Sequence, residues 1–260
     1  MSKGSVFLMY HEVQASGAEL CDDSAGYRRY VISDEEFSRQ LDVIEQLGQI
    51  GLSVSEALKS IGASQSLCLT FDDGCASDLR VAAPLLAAKK HNGTFYVTVA
   101  HLGKRGYLTK PELRELADLG FEIGSHSMNH RHLDDLARDE VRAELVDSKS
   151  ALEEIVGREV AHFSCPGGRI SSFVTEFAHE AGYQSVASSN LGINYQSTDR
   201  FALKRVAIKK DMTPKNFRRL CAGKGQLLMK SGDSMLSSLK RALGNERYDR
   251  IRARVLSLVD

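Results

Sequence analysis

The chain has 260 residues, of which 42% are hydrophobic and 26% charged, and its 34 Lys/Arg balance its 34 Asp/Glu. That length buries a full core and suits one α/β domain of barrel size, since such barrels commonly run to roughly 250 residues. The composition excludes a low-complexity or collagen-like chain, and the zero net charge gives no bulk attraction to nucleic acid, so none is expected as a partner.

Val6-Phe7-Leu8-Met9-Tyr10 reads as a first strand, ending on His11-Glu12, and residues 12 to 32 are mostly polar and read as a long loop. Ser33 and Glu36 form a capping-box pattern that opens a helix, with Phe37, Leu41, Ile44 and Leu47 at helical spacing. Leu67 to Phe71 is a run of strand formers that delivers Asp72 and Asp73, with Gly74 allowing the backbone to turn. A helix is expected over about 78 to 90, a strand at 94 to 98, a helix at 110 to 119, and a short strand at 121 to 124 running into Ser125-His126. Residues 138 to 156 are amphipathic, with Val141, Leu145, Leu152 and Ile155 on the inner face. A strand over 161 to 164 runs into Cys165-Pro166-Gly167-Gly168, followed by a helix at 172 to 181 and strands near 184 to 187 and 204 to 208. Helices near 214 to 222, 234 to 243 and 246 to 258 close the chain.

Strand–helix alternation with short connections predicts a parallel sheet, and at this length a (β/α) barrel is its natural closure. The expected division is a barrel over 1–210 and a basic helical extension over 211–260 packed on it. From Lys204 to Arg254 there are 15 Lys/Arg against four Asp/Glu. That excess suits either solvated helix faces or a contact with anionic lipid or a phosphate-bearing substrate.

The five cysteines (Cys21, Cys68, Cys75, Cys165, Cys221) are odd in number and form no CxxC pair, which predicts free thiols in a reducing compartment. The N-terminal apolar run is too short for a signal-peptide core, and no apolar stretch approaches ~18 residues. A cytoplasmic protein is expected, at most touching the inner face of the membrane.

Four predicted strand ends carry His11, Asp72-Asp73, His126 and Pro166-Gly167-Gly168, and chemistry gathers where barrel strands end. Neighbouring carboxylates repel, so a divalent metal taking one and leaving the other as a base resolves the conflict; ordinary turn chemistry is the alternative. His126 and His130 stand four apart and can share a metal, although surface or core histidines also give that spacing. Asp73, His126 and His130 would then be three protein ligands with a coordination position left open. Asp72 becomes the base for the attacking water, and His11 the candidate acid for the leaving group, unless it is a structural histidine. His132 is read as peripheral. Gly167 could offer a backbone N–H to an oxyanion, and Pro166 and Tyr10 join it as candidate substrate-side residues.

Thr70-Phe71-Asp72-Asp73-Gly74 and His126-Ser127-Met128-Asn129-His130 resemble the first two motifs of the polysaccharide deacetylase family, the NodB-homology domain. Met9-Tyr10-His11-Glu12-Val13 resembles the opening of a branch with an early histidine. The likeness spans roughly residues 5 to 210. It implies a distorted (β/α) barrel, a divalent metal, usually zinc, and removal of acetyl from an amino sugar. It also implies Asp72 as base and Asp73, His126 and His130 as ligands. The third motif departs from the family's commoner form, in which an arginine before the prolines pairs with the catalytic aspartate. Here Ser164 stands at the arginine's place and Gly167 at the aromatic's, with Arg169 nearby. The late Leu-x-His motif is absent, because no histidine follows His179. The resemblance makes a metal-dependent N-deacetylase the leading expectation, acting on an N-acetylated, possibly lipid-linked saccharide in glycan or exopolysaccharide assembly. O-deacetylation of a carbohydrate and a non-catalytic carbohydrate-binding protein are the alternatives.

Overall fold

The computed structural model describes residues 3–224, so the expected helices near 234–243 and 246–258 lie outside the described residues. Strands β1 (Ser5–Tyr10), β2 (Glu12–Gln14), β3 (Val31–Ser33), β4 (Gly51–Leu52), β5 (Ser66–Phe71), β6 (Thr94–Val97), β7 (Glu122–Ser125), β8 (His162–Ser164), β9 (Ser185–Ala187) and β10 (Val206–Ala207) are laid down in that order. Between and after them come helices α1 (Ala25–Arg28), α2 (Asp34–Gln46), α3 (Val54–Ser60), α4 (Ala83–Ala88), α5 (Lys110–Asp118), α6 (Arg138–Val156), α7 (Ser172–Glu180) and α8 (Pro214–Cys221).

The main sheet is parallel throughout, in the order β10-β1-β5-β6-β7-β8-β9, with β4 added on β5. Its two ends meet at one short segment. Leu203 bridges to Ala187 of β9, and three residues further on β10 pairs with β1, so the sheet curls into a barrel closed by residues 203–207. The fold is the (β/α) barrel that the alternation predicts, distorted as the resemblance implies.

Side chains alternate along a strand, and the core divides accordingly. Val6, Leu8 and Tyr10 of β1, with Leu67, Leu69 and Phe71 of β5, face the helices in the larger cluster. Phe7, Cys68, Tyr96, Ala187 and Leu203 face inward and fill the barrel. Directly above that plug, still inside, lie polar side chains, among them Thr70, Asp72, Ser164 and Arg205, each at most 3% exposed. The barrel is therefore apolar below and charged above, at the end where the strands terminate.

Residues 12–32 are more ordered than their polarity predicts. β2 and β3 pair in parallel as a small separate sheet, and α1 lies between them. The expected helix over 78–90 starts as a π-helical turn, Asp78–Ala82, before α4. Pro84 has no N–H to close an α-helical bond to Arg80, which favours the wider turn. α3, whose capping box is formed by Ser53 and Glu56, is an addition to the sequence reading. Its seven residues, about two turns, are too short to show periodicity.

Candidate active site

Asp72 and Asp73 leave the end of β5, and His126 and His130 follow the end of β7. Of the four non-glycine residues with positive φ among the described residues, three belong here: Asp73 (φ 85), Ser127 (φ 70) and His130 (φ 57). Each left-handed residue costs on the order of 1 kcal/mol, and such costs concentrate where a site needs unusual side-chain directions. Gly74, at φ 79, is required by its surroundings as well, because a Cβ there would stand 2.9 Å from Val97 Cγ1.

The result is a convergent donor set. Asp73 Oδ1 lies 3.2 Å from His130 Nε2 and 3.5 Å from His126 Nε2. All three donor atoms lie within 4.8 Å of one another. His126 Nδ1 is 2.8 Å from the Ser164 carbonyl oxygen. A carbonyl only accepts, so Nδ1 carries the proton and Nε2 presents its lone pair to the cluster. Burial pushes the His126 pKa down to about 4, which keeps the ring neutral, as a ligand must be. Burial acts against the charged form of His130 too, but the hydrogen bond to Asp73 and the neighbouring carboxylates outweigh it and raise its pKa. Burial would raise Asp73, yet His130, His11 and His126 together hold it well below the usual carboxylate range. Two imidazoles and one carboxylate, converging within 4.8 Å, fit a divalent cation such as zinc. Without a cation, they are held together by an Asp73–His130 ion pair.

Asp72 points to the other side, into the barrel, where a residue absent from the sequence reading meets it. Arg205 donates from Nη1 to Asp72 Oδ1 at 2.7 Å and from Nη2 to Oδ2 at 2.8 Å. It also donates to Ser164 Oγ at 2.7 Å, to Thr70 Oγ1 at 3.2 Å and to the Ser188 carbonyl at 2.9 Å. Ser164 Oγ in turn donates to Asp72 Oδ2 at 3.3 Å. Burial opposes the Asp72 charge, but Arg205, then His126, overcome it and lower its pKa. The carboxylate is thus ionised and fixed in its plane by a two-pronged bond. Arg205 reaches it from the closing segment, so the guanidinium expected beside the prolines arrives from the opposite edge of the sheet. Ser164 leaves room for it. Arg169 is not that partner; its guanidinium lies 3.5 Å from Asp135 Oδ2 and 3.8 Å from Asp134 Oδ1.

His11 follows β1, with its ring 4.7 Å from that of Tyr30 and 6.3 Å from that of Tyr27. Its Nδ1 is buried with no hydrogen-bond partner among the described residues. His11 is among the groups that lower the pKa of both Asp72 and Asp73. Tyr10 is different. Alternation along β1 turns it outward, where it stacks on Phe71 and donates a 3.0 Å hydrogen bond to Gln40 of α2. It is a core residue at 1% exposure, which corrects its grouping with the substrate side. Pro166 and Gly167 form the turn after β8, and Gly167 adopts φ 64 against the His132 ring. His132 packs on that turn, its Nδ1 3.4 Å from the Pro166 carbonyl oxygen.

The cysteines are not all free. Cys21 and Cys75 form a disulfide, while Cys68, Cys165 and Cys221 are buried thiols. The pairing removes the thiol argument for a reducing compartment. It ties the loop before α1 to the segment just beyond Asp73. Close by, Glu12 accepts from the Cys21 N–H at 3.1 Å, and burial pushes its pKa up to about 6. Among the described residues, no helix is long and apolar enough to cross a membrane.

Residues 59–186 match the family model for polysaccharide deacetylases. The Bacillus subtilis protein YxkH is 25% identical over 215 residues, covering 81% of this chain and 73% of that protein. A peptidoglycan-N-acetylglucosamine deacetylase of Bacillus cereus is 34% identical over 121 residues, which are 46% of this chain and about half (54%) of the relative. In fold, the chain is similar to the Streptococcus pyogenes deacetylase PplD, at a TM-score of 0.74 and 23% identity over 85% of this chain and 99% of the other. It is also similar to IcaB of Ammonifex degensii, at a TM-score of 0.71 and 24% identity over 85% and 96% of the two chains.

Proposed function

Because the chain belongs to the polysaccharide deacetylase family, we propose that it is a metal-dependent hydrolase that removes acetyl from an N-acetylated amino sugar. Relatives named for deacetylation of peptidoglycan N-acetylglucosamine and of chitooligosaccharide support that substrate class. The observation that carries the reading is the convergence of Asp73, His126 and His130 beside an ionised Asp72 locked by Arg205. A mere binder of carbohydrate has no use for that set.

Asp73, His126 and His130 would hold a divalent cation such as zinc, which would supply Lewis acidity to the acetyl carbonyl and acidify water. The rest is the work of the chain's own residues. Asp72 accepts the proton of the attacking water, and Arg205 keeps it ionised and aimed until then. His11 gives a proton to the sugar nitrogen as its bond to the acetyl carbon breaks, so the products are acetate and a free amine. The Gly167 N–H faces the developing oxyanion, and Pro166 shapes the turn that presents it. We assign the activity to glycan or exopolysaccharide assembly, with a lipid-linked saccharide as the proposed substrate form.

The test is metal content together with acetate release from N-acetylglucosamine oligomers. Wild type should carry about one cation per chain. Asp73→Ala should lose both cation and turnover, whereas Asp72→Asn should keep the cation and lose about 10²–10⁴ in kcat. A wild type without bound metal would overturn the reading.

A further inference from the structure

Between the two histidines of the donor set lie two backbone amides that point away from it, and both end on one side chain. Glu144, on the second turn of α6 and 4% exposed, accepts from Met128 N and Asn129 N through Oε2, each at 2.9 Å. Its other oxygen accepts from Asn129 Nδ2, also at 2.9 Å. Burying a carboxylate is costly, and among the described residues it forms no salt bridge, so these bonds must compensate. Three donors and no acceptor converge there, a pattern that an acceptor-only group meets fully.

The turn that Glu144 grips is the one that carries strain. Ser127 and His130 are both left-handed, and they frame the two gripped residues. Local bonds help: His130 N donates to Ser127 Oγ at 3.0 Å, and Ser127 N donates to Ser125 Oγ at 3.3 Å. Ser125 Oγ is itself tied to Ser148 Oγ of α6 at 2.9 Å. The nineteen-residue α6 therefore anchors the turn at two points one helical turn apart.

We propose that Glu144 is a positioning residue for the cation site: it holds the 126–130 turn in its strained form so that both Nε2 atoms face Asp73. The inference rests on the metal-centre reading above. It concerns geometry and not charge, so reach and charge can be separated by substitution. Glu144→Gln loses the charge but keeps an amide oxygen that can accept both backbone N–H groups, while the Asn129 amide turns over to accept from its NH2. Glu144→Asp keeps the charge but shortens the side chain by one carbon.

The experiment uses the full chain and three measurements. Zinc affinity is read by competition with a chromogenic chelator, the ligand geometry by the visible spectrum of the cobalt(II)-loaded protein, and folding by thermal unfolding of the metal-free forms. Glu144→Gln should bind zinc within about threefold of wild type with an unchanged cobalt spectrum. Glu144→Asp should lose about tenfold or more in affinity and shift the spectrum, in the range expected when the support of a metal ligand is removed. Wild-type affinity and spectrum in Glu144→Asp would overturn the proposal, as would a loss confined to Glu144→Gln, which would assign the effect to charge. A wild type that binds no zinc would instead overturn the metal-centre reading beneath it.

Discussion

At the scale of single residues, the Arg205–Asp72 pair sets the strongest constraint. Both side chains are almost wholly buried, and removing one member of such a pair strands the other, at a cost of about 3–5 kcal/mol. With Arg205 present, Asp72 titrates below its ordinary value, so its contribution to stability holds above the usual carboxylate pKa and is lost as pH falls below it. In Arg205→Ala, burial acts unopposed by the guanidinium and the sign reverses: the raised carboxyl favours the fold at low pH, and stability drops as pH rises. The acid limb of kcat/KM should move up by one unit or more, and denaturant unfolding should show a larger deficit at pH 8 than at pH 5. Arg205→Lys should fall between, because it keeps the charge and loses the two-pronged geometry. An unmoved acid limb in the alanine variant would separate Arg205 from the ionisation of Asp72. Asp72, Asp73, His126 and His130 were legible in the sequence because each pair is local and follows a strand. Arg205 was not, because it lies 133 residues from its partner and no motif marks it. Its one signal is a charged residue at an inward position of a short apolar run, Arg205-Val206-Ala207-Ile208.

At the scale of elements, alternation and capping gave the longer strands of the main sheet and the helices α2, α5, α6, α7 and α8 to within a residue or two, but neither β4 nor α3. What they did not give is the structure of residues 12–32, where two three-residue strands and a one-turn helix carry too little pattern to read. That segment bears on the site, since Tyr27 and Tyr30 pack on His11 and Cys21 is bonded to Cys75 beyond Asp73. The disulfide was illegible for a related reason: its cysteines are 54 residues apart, and pairing depends on how the loop folds back. Closing a loop of that length is worth about 2–4 kcal/mol. Reduction should therefore lower the melting temperature of wild type, while Cys21→Ser should melt at the lower temperature with or without reductant. KM should rise in both as the wall around His11 loosens, with cation content unchanged. Indifference of the melting temperature to reductant in wild type would show that the bond does not hold the loop.

At the scale of the whole molecule, the barrel balances its charges unevenly, and the basic excess divides in an instructive way. From Lys204 to Lys224 there are eight Lys/Arg and one Asp/Glu, whereas residues 231–260 hold six against four. Arg205 belongs to Asp72, but Lys215, Arg218 and Arg219 stand exposed on α8, whose buried face (Phe217, Leu220, Cys221) packs on the barrel. If the chain meets an anionic membrane through charge, as we propose for a lipid-linked substrate, α8 is the denser contact, at about 1 kcal/mol per basic residue near the surface. Sedimentation with phosphatidylglycerol vesicles at low salt tests this. The triple change Lys215→Glu, Arg218→Glu and Arg219→Glu should weaken binding by an order of magnitude or more, and added salt should weaken wild type in the same way. Deleting 231–260 should have the smaller effect, since it removes little net charge. Neither variant should alter acetate release from soluble oligomers, because α8 contributes no group to the cleft. Binding that survives the α8 changes and high salt, and disappears with residues 231–260, would place the contact in apolar insertion of that segment and overturn the electrostatic one.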